Sequence, residues 1–301
     1  MSHASSTRAI LYAFLANLGI AIAKSGAAVY TASGSMLAEA IHSYADCGNQ
    51  VLLYIGLRQS ERPADREHPM GYGKITYFWS FIVAVLLFSM GGLFSMYEGW
   101  HKLHQPEPLH QAWIALVVLG VSIILEVFSL LGALREIRTL RGERRFGVWL
   151  KQTRNAELVV VLGEDIAAIT GLILAFVFVS ITAITGNAVW DAAGSICIGV
   201  ILIIVSLFIS LRIRGLITGR SADPELEASI RNIITEDDNI EMLFHAITLQ
   251  FGPHVMLAAK IRMKAGLSIE TAVMHINLLE QKIKAAQPTV RWCFIEPDDV
   301  D

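Results

Sequence analysis

The chain has 301 residues, of which 54% are hydrophobic and 17% are charged, and its formal net charge at pH 7 is −3. This composition is more apolar than that of an ordinary soluble domain, and so small a net charge gives no sign of a nucleic-acid partner. Apolar runs of about 20 residues, long enough to cross a hydrocarbon core roughly 30 Å thick, recur along the sequence. These features predict an α-helical membrane protein embedded in a lipid bilayer.

Six apolar runs predict six transmembrane helices, at about residues 8–30, 36–58, 76–100, 111–134, 156–180 and 189–211. The first run lacks a short apolar core followed by a cleavage site of small residues, so a cleaved signal peptide is not expected. Lysine and arginine are concentrated in the 2–3 and 4–5 connections, whereas the 1–2 and 5–6 connections have none and the 3–4 connection has only Lys102. The positive-inside rule therefore predicts that both ends are cytoplasmic, and that residues 1–212 form the transmembrane domain.

The composition becomes that of a soluble domain after about residue 213. A helix is predicted to open at Asp223-Pro224, two strands flank Gly252-Pro253, a second helix covers 268–286, and "TVRWCFIEP" forms the last strand. The order αββαβ predicts a small cytoplasmic α+β domain with its helices on one face of a sheet. Because so small a domain is only marginally stable alone, we expect residues 213–301 to be a regulatory domain that pairs with a second copy.

The stretch "LAEAIHSYADCGNQ" at 37–50 places polar side chains inside the second apolar run. His42 and Asp46 are one helical turn apart, and Glu39 and Asn49 continue the same stripe. Ionisable groups in a bilayer are costly and usually face a bundle interior or a watery cavity. An imidazole and a carboxylate in this arrangement can bind one divalent metal, but a second helix must supply further ligands.

The fifth apolar run offers those ligands in "VVVLGEDIAAITG", where Glu164 and Asp165 are adjacent. In the predicted topology Asp46 and Asp165 both fall near the middle of the bilayer, which favours one shared metal site. A purely structural interpretation would have His42 bond a carbonyl and Asp46 bind a lysine such as Lys24. Pairs of polar residues in two spans at one depth make that interpretation the less favoured one.

Four features of the chain together resemble the cation diffusion facilitators: "HSYAD" in the second span, "DREHPMGYGK" at 65–74, "WDAAGS" opening the sixth span, and the αββαβ tail. The resemblance covers nearly the whole chain. It implies a homodimeric exporter of Zn²⁺ or a related divalent metal in exchange for protons, with no cofactor beyond the transported metal, in a bacterial cytoplasmic membrane. "GEDIAAITG" and Glu126 in "SIILEVFSL" are similar to the branch that contains the mitochondrial zinc transporter.

The family pattern in the fifth span is His-x-x-x-Asp, and this chain departs from it. Asp165 matches the Asp, but Val161 stands where the His would be. Glu164, Asn49 or a water could complete the site, although Glu164 lies about 100° around the helix from Asp165. The predicted metal-binding residues are therefore His42, Asp46, Asp165, Glu164 and Asn49.

Three other functions compete with zinc export. An oxygen-rich ligand set suits Mn²⁺ or Fe²⁺ better than tetrahedral Zn²⁺, so export of Mn²⁺, Fe²⁺ or Co²⁺ is the first alternative, whereas the retained His42 favours zinc. An intramembrane metalloenzyme could hold a catalytic metal at His42, Asp46 and Asp165, with Glu164 as general base. A passive divalent-cation channel would need no proton coupling. Both are less favoured than a transporter, so we expect no enzymatic activity.

Other polar residues have lesser predicted roles. Asp65 and His68 match two ligand positions of a loop site in the family, but Tyr72 replaces its second histidine, so a weak or absent loop site is expected. Three polar residues in the apolar runs are interpreted as structural hydrogen-bonding groups or counter-charges: Asn17, Lys24 and Glu126.

The cytoplasmic tail also departs from the family. His245 and Glu296 match two ligand positions, but Lys260 and Phe294 stand where two histidines would be expected. A protonated lysine cannot bind a metal, but it can supply positive charge to a nearby Glu296. We therefore predict a metal-independent tail, with a solvated Lys260 on a strand face as the alternative.

Overall fold

The computed structural model describes residues 3–106 and 108–300. Residues 1, 2, 107 and 301 belong to the predicted domains 1–212 and 213–301 but lie outside the described residues. The chain divides into two compact units. The first consists of Met1–Leu57, Phe78–Glu143 and Glu157–Ile213, and the second consists of Arg58–Tyr77, Arg144–Ala156 and Arg214–Asp301.

The first unit consists mainly of long helices. One short helix, which belongs to the second unit, lies between two of them in the sequence. In chain order, the helices are α1 (His3–Thr31), α2 (Gly34–Ser60), α3 (Ile75–Leu86), a π-helical segment (Leu87–Leu93), α4 (Phe94–His104), α5 (Ala112–Arg141), the short α6 (Phe146–Gln152), α7 (Ala156–Thr185) and α8 (Val189–Thr218). Each of the six predicted spans lies within this helical chain. Neither the π-helical segment nor α6 was predicted.

Four helical segments of the described chain are long and apolar enough to cross a membrane: Ile75–His104, Ala112–Arg141, Ala156–Thr185 and Val189–Thr218. The prediction of a helical membrane protein is confirmed to that extent. The polar stripe of α2, which includes Glu39, His42 and Asp46, lowers its apolar character and explains why α2 does not stand out in the same way. The six-span arrangement stays a prediction.

The helix α8 packs closely against the π-helical segment and α4 through glycines. A Cβ atom on Gly99 would lie 2.7 Å from the carbonyl oxygen of Ala192, and one on Gly199 would lie 2.8 Å from that of Gly92. No other residue type allows such an approach without displacement of the backbone. Small residues at helix contacts are the usual means by which membrane helices come close together.

The second unit contains α9 (Pro224–Thr235), β1 (Ile240–Phe251), β2 (His254–Met263), α10 (Ile269–Ala286) and β3 (Val290–Pro297). The sheet order is β1-β2-β3, with β1 antiparallel and β3 parallel to β2. The predicted αββαβ order is thus confirmed. Local signals set the helix starts, because the side chains of Asp223 and Ser268 accept hydrogen bonds from the first-turn amides of α9 and α10.

The core of this small domain lies between its helices and one face of β2. Alternate residues of β2 are buried, as expected for a strand with one covered face. The buried residues from these elements include Ile230, Ile234, Leu257, Ile261, Leu279 and Ile283.

Two further segments belong to the second unit: the connection before α3 and the region of α6. Gly73 and Gly252 meet backbone to backbone, and a Cβ atom on Gly73 would lie 2.8 Å from the carbonyl oxygen of Phe251. The hydroxyl of Tyr77 donates to the carbonyl oxygen of Gly252 at 3.2 Å. Gly252 turns the β1–β2 hairpin with a φ of +61°, a conformation that favours glycine.

Candidate metal site

The polar stripe of α2 lies on a buried face of that helix. Glu39, His42 and Asn49 are each at most 1% exposed. The imidazole Nε2 of His42 is 3.6 Å from Oδ2 of Asp46, one turn further along. The helix therefore presents a nitrogen and a carboxylate oxygen side by side, as the i,i+4 spacing predicts.

A hydrogen bond connects α2 to α7 at this level. Nδ2 of Asn49 donates to Oε1 of Glu164 at 2.6 Å. The neighbouring Asp165 instead accepts a hydrogen bond of 3.4 Å from Oγ of Ser129 on α5. Consecutive residues point about 100° apart on a helix, so the two carboxylates of α7 have different partners.

Several buried polar atoms of these side chains have no hydrogen-bond partner within the described part of the chain. They are both ring nitrogens of His42, Oδ1 of Asp46, Oδ1 of Asn49, Oδ2 of Asp165 and Oε1 of Glu39. An unsatisfied buried polar atom costs roughly 1–3 kcal/mol. Concentration of such atoms on α2 and α7 leaves free lone pairs suited to a cation or a proton.

The candidate ligands form neighbouring pairs and are not gathered around one point. Among the described residues, no three His, Cys, Asp or Glu side chains come close enough together to hold one ion. The pairs are His42 with Asp46, Asn49 with Glu164, and Ser129 with Asp165. Asp46 and Asp165 are nevertheless near enough to interact electrostatically, and like charges without a cation between them repel.

The helix α5 contributes a side of the site that the sequence analysis missed. Glu126, interpreted as structural, lines a small pocket, and Ser129 lies three residues later on the same face of α5. A serine one turn after an intramembrane glutamate was the signal that could have indicated this face. The pocket is lined by Asn17, Ile20, Ser43, Asp46 and Glu126.

Lys24 of α1 is buried beside α2, where it binds two side chains that precede Asp46 on the same helix. Its ammonium group is 3.3 Å from Oε2 of Glu39 and donates to Oγ of Ser43 at 2.8 Å. The alternative interpretation paired Lys24 with Asp46, whereas its hydrogen bonds go to Glu39 and Ser43. The Glu39 carboxylate in turn lies against Gly171 of α7, where a Cβ atom would clash with it.

The π-helical segment runs beside His42. A Cβ atom on Gly91 would lie 3.9 Å from Nδ1 of His42, which is ordinary van der Waals contact, so this segment is a direct neighbour of the imidazole ring. Single π-helical turns inside α-helices are frequent at functional sites.

The loop positions of the family pattern are engaged with one another. Oδ2 of Asp65 accepts a hydrogen bond from the Tyr72 hydroxyl, and Oδ1 accepts one from the His68 amide, both at 2.7 Å. The hydroxyl of Tyr72 lowers the pKa of Asp65, and the same bond raises the pKa of Tyr72. The aromatic rings of His68 and Tyr72 lie 4.2 Å apart. The hydrogen bond from Tyr72 therefore occupies an oxygen of Asp65 that a metal bound in this loop would need as a ligand.

The tail positions of the family pattern meet on the sheet. Lys260 of β2 is in register with His245 of β1 and with Glu296 of β3. Its ammonium group is 2.7 Å from Oδ2 of Asp298, and the hydrogen bond from Lys260 lowers the pKa of Asp298. Phe294 is exposed. A lysine charge thus lies among the positions where the resemblance implied metal ligands.

Ionisable side chains buried between apolar helices are typical of membrane proteins that move ions or protons. Residues 10–212 match the family model for a cation efflux transmembrane domain. The chain therefore belongs to the cation efflux family of divalent metal cation transporters, as the sequence motifs predicted. The similar proteins of this family are transporters and not enzymes, so the comparisons give no support to an intramembrane metalloenzyme.

Similar proteins come from animals and plants. The chain is 34% identical over 258 residues to the proton-coupled zinc antiporter SLC30A9, mitochondrial, of Xenopus laevis, covering 84% of this chain and 45% of that protein. The human protein of the same name is 32% identical over 84% of this chain and 44% of its own length. Metal tolerance protein C4 of Arabidopsis thaliana is 30% identical over 92% of this chain and 60% of its own length. The chain thus spans less than half the length of the antiporters that it matches.

Proposed function

We propose that the chain exports Zn²⁺ across a membrane in exchange for protons. The similar proteins that are named as proton-coupled zinc antiporters support this assignment. In this proposal six helices within residues 1–212 cross a bacterial cytoplasmic membrane with both ends in the cytoplasm. Residues 213–301 form a cytoplasmic regulatory domain through which two copies pair.

The transported ion binds at His42, Asp46, Asn49, Glu164 and Asp165. The observation that carries this proposal is the set of unpartnered buried atoms on these side chains, which belong to four of the five residues. A divalent cation would satisfy those atoms and reduce the repulsion between the carboxylates of α2 and α7. The ligand pairs are separate, so binding requires a small approach of α2 and α7, which the Asn49–Glu164 hydrogen bond already connects.

Proton exchange follows from the chemistry of the same side chains. A metal binds to a neutral imidazole and to ionised carboxylates, so its binding displaces protons. When the metal leaves on the outer side, His42 and an aspartate accept protons there and carry them inward as the transporter resets. Rocking of helices around a site near the membrane midplane gives alternating access. One set of groups serves both cargoes, which makes the exchange obligatory.

The chemistry of the proposed ligands also fits divalent metals other than zinc. His42 offers the only nitrogen ligand of the proposed set, and that ligand favours zinc. The other four side chains offer oxygens, and an oxygen-rich set also suits Mn²⁺, Fe²⁺ or Co²⁺. The physiological metal of this chain is therefore proposed to be zinc, with those three ions as competitors.

Metal flux into proteoliposomes tests the function. Purified protein is reconstituted, and uptake of Zn²⁺, Mn²⁺, Fe²⁺, Co²⁺ and Cd²⁺ is measured with and without a pH gradient. We expect zinc to be the preferred ion and the gradient to drive its accumulation against its own concentration difference. Zinc flux that never exceeds equilibration, whatever the gradient, would indicate a passive channel and contradict the proposal.

A further inference from the structure

A positive charge lies inside the first unit without contact with water. Lys24 is 0% exposed, and its ammonium group binds Glu39 and Ser43 of α2. An ammonium group buried without a counter-charge would be very costly, which explains the need for Glu39. A buried ion pair is nevertheless no more stabilising in general than apolar residues of similar volume. Stability alone does not account for this pair.

The partners of Lys24 are part of a longer row of acceptors. Glu39, Ser43 and Asp46 follow one another at intervals of four and three residues, so they share one face of α2. Lys24 binds the first two members of this row. The next acceptor along the row is Asp46, whose Oδ1 atom has no hydrogen-bond partner among the described residues.

A small pocket is lined both by Ser43, which Lys24 binds, and by Asp46. Its wall on α1 is formed by Ile20 and Asn17, which lie four and seven residues before Lys24 on the same helix face. The pocket therefore connects Ser43, which the ammonium group binds, with the carboxylate of Asp46.

The direction of the lysine side chain favours a move into this pocket. Side chains on an α-helix lean towards the helix N-terminus, so the stem of Lys24 leans towards Ile20 and Asn17. The step from Ser43 to Asp46 is about 4.5 Å along the axis of α2. A flexible four-carbon stem can cover it, and three N–H donors allow the ammonium to keep Ser43 while it takes a new acceptor.

We propose that Lys24 is a positioning residue of the transport site. Its ammonium group binds Glu39 and Ser43 while the transported cation is at Asp46, and it shifts to Ser43 and Asp46 when the cation has left. This inference rests on the proposed function in one respect, that Asp46 binds the cation. The ammonium then competes with the metal for Asp46, which weakens metal binding, promotes release and compensates a carboxylate charge in the empty transporter.

Two variants with opposite expected effects test this role. In Lys24→Met/Glu39→Leu both charges are replaced by apolar side chains, so neither is left buried alone. Without a competitor at Asp46, zinc affinity should rise about tenfold, within the usual range of coupling between two sites, and efflux should slow. In Glu39→Gln the ammonium loses its carboxylate and favours Asp46, so zinc affinity should fall. Equilibrium zinc binding to the full chain in detergent measures both.

Lys102→Met is the matched control, because Lys102 lies in the last turn of α4, 4.0 Å from Asp191 and outside the proposed site. Its zinc affinity should equal that of the wild type.

The outcomes separate the two proposals. If Asp46→Asn loses zinc binding but the double variant and Glu39→Gln keep the wild-type affinity, the role of Lys24 is overturned and the site stands. If both variants shift the affinity in the same direction, a general packing effect replaces the shifting ammonium. If Asp46→Asn binds zinc normally, the proposed site itself is wrong.

Discussion

Asn49 of α2 donates a hydrogen bond of 2.6 Å to Oε1 of Glu164 on α7. From the sequence, each of these two residues is a candidate to replace the histidine that is absent at Val161. The structure joins them in one pair that holds the two candidate ligand helices together. Asn49 keeps an unpartnered Oδ1 atom, so the pair still offers a free oxygen.

We first predict that Asn49 and Glu164 act as a unit in zinc binding. Asn49→Ala and Glu164→Gln should each weaken zinc affinity by about 10- to 100-fold, the usual effect of removing a partner that orients a metal ligand. The double variant should lose little more than the worse single one, because both changes remove the same connection. Equilibrium zinc binding measures the cycle.

The control for this cycle is Glu157→Gln, two turns earlier on α7. It should leave zinc affinity unchanged, and fully additive losses in the double variant would contradict the pairing of Asn49 with Glu164. Val161→His restores the histidine of the family pattern and is expected to sharpen the preference for zinc over Mn²⁺.

A second prediction concerns the two aspartates of the proposed site. Asp46→Ala and Asp165→Ala should each abolish metal transport while the protein stays folded, because two carboxylates are needed to neutralise a divalent ion inside the membrane. Flux in proteoliposomes and thermal melting in detergent measure the two properties. Ser180→Ala on α7 is the control and should transport normally. Normal flux through a folded Asp165→Ala variant would show that α2 and α7 do not share a site.

The loop before α3 leads to a third prediction, on pH. The Tyr72 hydroxyl lowers the pKa of Asp65, so the folded protein binds this proton more weakly than the unfolded chain does. The stabilising contribution is therefore complete above about pH 4, the ordinary value of an aspartate, and is lost as pH falls through the depressed pKa. Tyr72→Phe should lower the melting temperature slightly at pH 7, and the difference from wild type should shrink in acid.

The matched variant for this loop is Tyr72→His, which adds a third possible ligand beside Asp65 and His68. In an Asp46→Asn/Asp165→Asn background we expect it to bind zinc that the parent does not. Strong zinc binding at this loop in the parent protein would contradict the conclusion that Tyr72 occupies Asp65 by a hydrogen bond.

The tail leads to a fourth prediction. Lys260 lies in register with His245 and Glu296 and binds Asp298, so its charge lies among the positions where the resemblance implies metal ligands. We expect the full chain to remain dimeric in chelator, as measured by sedimentation. Lys260→His should add zinc binding in the Asp46→Asn/Asp165→Asn background, whereas Lys282→His on the exposed side of α10 should not. A dimer that dissociates in chelator would contradict the metal-independent tail.

The local signals of the sequence determined most of the fold. The lengths of the apolar runs placed each long helix, because span length follows from bilayer thickness. Asp223-Pro224 and Ser268 fixed the starts of α9 and α10, because helix capping involves only residues close in sequence. The αββαβ order followed from periodicity and the Gly252-Pro253 turn. The polar stripe of α2 was also predicted, since its face depends only on helical spacing.

Only the tertiary structure decided which side chains meet. Sequence spacing predicts how deep in the membrane Glu164 and Asp165 lie, but it does not predict how α7 is rotated against its neighbours. That rotation places Glu164 beside Asn49 and Asp165 beside Ser129. Sequence spacing likewise allowed Lys24 to be paired with Asp46, whereas its ammonium group binds Glu39 and Ser43 in the structure. Helix rotation and strand register depend on the packing of all elements at once, and single-helix periodicity carries no information about them. The types of the candidate ligands could therefore be predicted from the sequence, whereas the contacts between their side chains depend on how the helices pack.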